Sequence, residues 1–299
     1  MMPELSSPGA TGPTRVTYRV AGGLTLVGDA YGAPSAPPVV LLHGGGQTRH
    51  AWGGTAAALA AGGCHAIALD LRGHGESDWA PDGDYRLEAF ADDLQAVAAA
   101  WARPPAVVGA SLGGLALLLA QAATPAGVAA AVVLVDIAPR TQPAGVERIT
   151  GFMRSRPDGF ATLDEAAAAI AAFAPHRPRP KDLAGLQKNL RHGPDGRYRW
   201  HWDPRMMTGE HRLNAMRDPE RLERAAGALR VPTLLVRGRM SDVVSEADAR
   251  AFLVTVPHAR YVDVSGAGHM VAGDRNDPFT HAVVDFLAGI FGFDLFGDD

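Results

Sequence analysis

The chain of 299 residues has a single cysteine, Cys64, so no disulfide forms within it. Cys64 stands between Gly63 and His65 beside an apolar run, the setting of a small core residue rather than a nucleophile. No Cys/His cluster has zinc spacing and no His-Glu-x-x-His occurs, so no metal is expected. There is no basic tract, and the formal net charge is -4, which speaks against nucleic acid or an anionic membrane as partner. No uninterrupted apolar run reaches spanning length: Leu115 to Ala138 is broken by Gln121, Thr124-Pro125 and Gly127. Residues 1–15 have no cationic start or apolar segment and read as a loose tail rather than a signal peptide. None of the three asparagines begins a glycosylation sequon. A cytoplasmic location is the expectation. No Gly-x-Gly-x-x-Gly follows a strand and no Walker A motif appears, which disfavours a dinucleotide or nucleotide cofactor. No cofactor is expected.

What is present is apolar patterning: 47% of residues are apolar and 20% charged, ample for one large α/β domain or a domain with an insertion. Val16 to Val20 and Leu24 to Ala30 flank Ala21-Gly22-Gly23 and predict an antiparallel hairpin. Short continuous apolar runs at Val39–Leu42, Ala66–Leu69, Ala106–Val108, Ala131–Val135 and Thr233–Val236 predict strands buried on both faces. Tyr261–Val264 reads as a last strand. Helices are expected at Ala51–Ala61, from Leu87 to Trp101, after Ser111, at Ser245–Thr255 and at Pro278–Phe291. Strand-helix alternation implies a mostly parallel sheet with helices on both faces. Residues 140–225 lose that alternation. They show helical stretches near Leu163–Phe173 and Leu183–Leu190, no convincing buried strand, and an excess of arginine. The expected division is a tail (1–15), an α/β core (16–139 and 226–299) and an insertion (140–225) after the strand that ends at Asp136.

Val107-Val108-Gly109-Ala110-Ser111-Leu112-Gly113-Gly114 fits Gly-x-Ser-x-Gly. A strand that reverses into a helix within about one residue brings the neighbours of its apex together, so glycine is needed two positions either side. The serine hydroxyl then stands clear, at a helix start that favours negative charge. The pattern also suits a plain strand-turn-helix connection, so the rest of the constellation decides. An elbow serine needs a base and an acid, in the order Ser, acid, His, at the carboxyl ends of strands. His269, in the Gly-rich turn after the last strand, fits the base; His43 and His74 also sit in loops. Asp242, a short turn beyond the penultimate strand, is the preferred acid on chain order, although Asp commonly caps a following helix. Asp136, ending the strand after the elbow, is the rival. For an oxyanion the donors expected are the N–H of Leu112 and, from His43-Gly44-Gly45-Gly46, that of Gly45.

These residues, with Asp70-x-Arg72-Gly73-His74-Gly75-x-Ser77, resemble the α/β-hydrolase fold family over nearly the whole chain from about Val16. The resemblance implies a mostly parallel eight-stranded sheet flanked by helices, with residues 140–225 a helical cap inserted after strand 6. It implies no chemistry for Asp70 to Ser77, which brace the site. Serine at the elbow speaks against the epoxide-hydrolase and haloalkane-dehalogenase branches, which use aspartate there. The expected reaction is acyl transfer to water from a small to medium carboxylic ester. The alternatives are a C–C bond hydrolase, a lactonase, a cofactor-free perhydrolase, or a ligand-binding receptor on a hydrolase scaffold. Trp200, Trp202, Met206 and Met207 are candidates for an acyl pocket or, preferably, for the insertion's own small core. The partner is expected to be a small ester-like molecule; the oligomeric state is open.

Overall fold

The computed structural model describes residues 12–124, 126–173, 183–213, 218–270 and 276–292. The chain opens with β1 (Thr14–Arg19) and β2 (Thr25–Tyr31), an antiparallel pair, then β3 (Pro38–Leu42), α1 (Gly53–Ala61) and β4 (His65–Leu69). Next come α2 (Leu87–Ala98), β5 (Ala106–Ala110), α3 (Leu112–Ala123) and β6 (Ala131–Val135). Before the main sheet resumes, the described residues form the helices α4 (Pro143–Arg154), α5 (Leu163–Phe173), α6 (Arg205–Thr208) and α7 (Pro219–Gly227). Between α5 and α6 lies a small hairpin of β7 (Leu190–His192) and β8 (Tyr198–Trp200). The chain closes with β9 (Thr233–Gly238), α8 (Glu246–Thr255), β10 (Arg260–Val264) and α9 (Thr280–Phe291).

The main sheet has eight strands in the order β1-β2-β4-β3-β5-β6-β9-β10, parallel from β4 to β10. The expected fold class is therefore shown. β5 and β6 are buried at every residue, as continuous Val/Ala/Leu runs require when helices cover both faces. One face packs against α2, α3 and α7, with Leu94, Val97, Leu117 and Leu118 fully covered; the other packs against α1 and α9, with Leu59, Val283 and Leu287. No helix among the described residues is long and apolar enough to cross a membrane.

The segment after β6 is not purely helical. The short β7–β8 hairpin falls where no buried strand was expected, because its residues are too few to make an apolar run. Leu183–Leu190, expected as a helix, is a 3-10 turn over Ala184–Asn189. The arginine excess resolves mostly into ion pairs: Arg140 with Glu223, Arg148 with Asp242, Arg154 with Glu147, Arg199 with Asp195 and Arg221 with Glu88.

Candidate active site

β5 turns into α3 at Ser111, which holds φ 45°, ψ -111°, a left-handed strained conformation for a residue with a Cβ. The flanking glycines permit the close approach. A Cβ on Gly109 would lie 2.6 Å from the Gly113 backbone, and one on Gly113 would lie 2.6 Å from the Leu42 Cβ. The Ser111 N–H donates to the Val135 carbonyl at 3.1 Å, tying the apex to β6. As the first helical residue of α3, Leu112 has an N–H with no intrahelical acceptor.

His269 is buried, and its Nδ1 donates to Asp136 Oδ2 at 2.7 Å. An ionised carboxylate only accepts, so the proton is on Nδ1 and the lone pair of the neutral ring is on Nε2. The loop that carries His269 is laid over the turn after β9: Arg239 N–H donates to Val264 O at 2.9 Å and Met240 N–H to Ala267 O at 2.9 Å.

Asp136 sits one residue beyond β6 with φ 50°, a left-handed turn that swings its carboxylate sideways toward β9. Oδ1 accepts from the Gly238 N–H at 3.0 Å, and Oδ2 accepts from the Ser241 hydroxyl at 2.7 Å as well as from His269. Asp242, preferred from chain order, lies near enough to feel His269 but makes no hydrogen bond to it. It pairs with Arg148 of α4 at 2.6 Å, and this guanidinium keeps its carboxyl below the usual range despite the opposing effect of burial. α4 presses on its backbone, with Gly145 so close that a Cβ there would fall 2.0 Å from the Asp242 carbonyl oxygen. The carboxylate that meets the imidazole is therefore that of Asp136. Ser241, which helps to hold it, is not marked by the sequence, because a serine in a turn carries no signature.

The glycine loop after β3 abuts the serine: a Cβ on Gly44 would lie 3.2 Å from that of Ser111. Its backbone donors are mostly engaged. Gly44 N–H donates to Gln47 Oε1 at 3.0 Å, Gly46 N–H to His74 Nε2 at 3.1 Å and Gln47 N–H to Gly44 O at 3.1 Å. The Gly45 N–H has no partner among the described residues, which leaves it to a ligand.

Behind the loop stand three buried histidines. The rings of His43 and His74 meet edge-on at 4.9 Å between centroids, and those of His74 and His201 at 5.7 Å. Each takes a backbone N–H on one nitrogen: His43 from Leu71, His74 from Gly46, His201 from Gly75. Burial pushes His43 down to about 4 and His74 to about 3, and lowers His201 well below the usual range, so all three are neutral. The Asp70–Ser77 segment is bonded into the core through Arg49–Asp70 at 2.5 Å and Arg72–Asp93 at 2.6 Å.

Ser111, Leu112, Gly45 and His269 line one cavity of about 70 Å³, whose walls include Leu115, Ile137, Ile149, Met153 and Val243. Val146, Thr150, Arg212 and Leu213, all from the segment after β6, line both this cavity and an outer one of about 570 Å³. Trp200 and Trp202 do not line the inner cavity; they stack on each other at 4.9 Å within the inserted segment's core. Met206 and Met207 line only the outer one. The apolar wall comes instead from α3, α4 and the turns after β6 and β9. Among the described residues no group of His, Cys, Asp and Glu has the arrangement of a metal site.

A family model described as alpha/beta hydrolase fold matches residues 37–275. Esterase Rv0045c of Mycobacterium tuberculosis is 31% identical over 294 residues, 94% of this chain and 91% of that one. The 3-hydroxybutyrate-oligomer hydrolase of Cupriavidus necator is 28% identical over 80% of this chain and 85% of its own length. Among solved structures, an alpha/beta hydrolase from Novosphingobium aromaticivorans aligns with a TM-score of 0.77 and 27% identity, over 93% of this chain and 99% of that one. A strained serine between β5 and α3, a histidine after the last strand and a family match from β3 to beyond β10 agree: this chain belongs to the alpha/beta hydrolase fold family.

Proposed function

We propose that the protein is a serine esterase in which Ser111 is the nucleophile, His269 the base and Asp136 the acid. The observation that carries this is the Asp136–His269 hydrogen bond at 2.7 Å beside a serine held at φ 45°. The esterase among the relatives supports the same reaction class. Asp136 fixes the Nδ1–H tautomer, so Nε2 takes the Ser111 proton as the oxygen attacks the ester carbonyl. The N–H groups of Leu112 and Gly45 hold the oxyanion of the tetrahedral intermediate. The imidazolium protonates the departing alcohol, and the same ring then activates water to release the acid. Residues 140–225 act as a cap. The small apolar inner cavity suits a short acyl chain, and the outer cavity takes the alcohol portion.

The test is pre-steady-state hydrolysis of p-nitrophenyl esters of graded acyl length. The expected result is a burst of p-nitrophenol close to one per chain, strongest for short acyl groups. Ser111→Ala should lower kcat by about four to six orders of magnitude. A Ser111→Ala protein keeping a tenth of the turnover would overturn the proposal.

A further inference from the structure

His201 belongs to the inserted segment, immediately after β8, yet both its ring nitrogens are bonded to core loops. Nδ1 accepts the Gly75 N–H at 2.7 Å, and Nε2 lies 3.2 Å from the Gly46 carbonyl oxygen. The first bond settles the second: an N–H can only donate, so Nδ1 bears the lone pair and Nε2–H donates to Gly46 O. Gly46 is thereby gripped on both of its backbone groups by histidines, its N–H by His74 of the core and its C=O by His201 of the insertion. Gly46 has φ 78°, a hinge-like conformation that only glycine holds without strain, and it follows Gly45, whose N–H has no acceptor among the described residues.

The ring itself has no room to drift. Trp202 meets it edge-on at 5.2 Å, and Trp202 in turn stacks on Trp200. The next residue, Asp203, donates its N–H to Gly73 O at 2.9 Å and accepts the Tyr85 hydroxyl at 2.6 Å. The segment 201–203 is thus fastened to the 73–75 loop, and from that footing His201 reaches across to the glycine loop.

We propose that His201 is a positioning residue through which the seated cap aims the Gly45 N–H at the oxyanion. The inference rests on the esterase reading above. With the cap displaced, Gly46 loses its carbonyl partner and the loop its set, so the donor is aligned only over a closed site. A donor displaced by about 1 Å costs on the order of 100-fold in rate.

Two substitutions separate the bonds that His201 makes. Gln at 201 reaches Gly46 O with its amide N–H₂, whereas Asn, shorter, keeps an acceptor for Gly75 and loses the reach to Gly46. For a p-nitrophenyl ester, His201→Ala is expected to lower kcat by roughly 10- to 100-fold with KM within about threefold. Binding of a trifluoromethyl ketone, which uses the oxyanion donors, should weaken by a similar factor, while binding of the product carboxylic acid stays unchanged. His201→Gln should recover most of both losses and His201→Asn should not. Tyr85→Phe, which removes one bond of the footing but keeps the Asp203 N–H on Gly73 O and both His201 bonds, should lower the Tm and leave the ketone-to-acid affinity ratio as in the wild type. If His201→Ala does not fold, the Gln and Asn pair decides. Equal kcat and equal ketone affinity in those two variants would overturn the inference, as would Asn outperforming Gln. A wild type inactive on every ester would instead overturn the esterase reading, and this inference with it.

Discussion

A carboxylate one residue past a strand points along the strand unless the backbone turns, and Asp136 turns it with φ 50°. That single left-handed residue delivers Oδ2 to His269, while Gly238 and Ser241 hold the carboxylate from β9. Chain order favours Asp242, but β6 and β9 are neighbours in the sheet and both residues emerge at the same edge, so position alone leaves Asp136 within reach of the last loop. The distinction comes from Arg148, which takes Asp242, and from Gly145, which brings α4 against its backbone. Both lie in the stretch where strand-helix alternation fails, so neither was legible. Ser111 and His269 stand out in the sequence as candidates, because steric need for small neighbours and position after the last strand mark them independently of the segment after β6. Asp136→Asn is therefore expected to lower kcat by about 10³- to 10⁴-fold, the scale of losing the tautomer-fixing acid. Asp242→Asn should stay within about threefold. Steady-state kinetics of the two variants checks this, and the reverse ranking would return the role to Asp242.

At the scale of elements, the core strands announced themselves because burial on both faces demands unbroken apolar runs such as Ala131–Val135. The inserted helices did not. α4 buries only Gly145, Phe152 and Met153 among polar and charged neighbours, and its apolar side faces a cavity rather than a sheet. α7 carries a start signal, Asp218-Pro219: the Asp218 carboxylate accepts the N–H groups of Glu220 at 3.0 Å and Arg221 at 3.1 Å. Because α7 packs Leu222, Ala225 and Ala226 against the core, its cap matters to the whole. Asp218→Ala should cost about 1 kcal/mol, read as a Tm lower by about 2 °C with kcat unchanged. An unchanged Tm would show that this helix end draws no stability from its cap.

Across the whole molecule, a histidine stack is buried where the core loops meet the insertion. His43 and His74 titrate at about 4 and about 3 when folded, against ~6.5 for an unfolded chain. Between those values the unfolded state binds more protons, so the stability they contribute is full above about 6.5 and drains away as pH falls toward 4. His201, lowered for the same reason, adds in the same direction. Carboxylates held down by arginine, Glu76 and Asp84, lose their contribution only lower, as pH passes through their depressed range. Calorimetry should show the Tm beginning to drop just below pH 6.5, and a flat Tm down to pH 4.5 would contradict the neutral stack.

The catalytic assignment itself is tested most directly by reacting the protein with a fluorophosphonate and mapping the modified peptide. The expected result is one adduct per chain, on Ser111, with activity lost in proportion to labelling. Labelling at another residue, or full ester hydrolysis by a chain fully modified at 111, would contradict it.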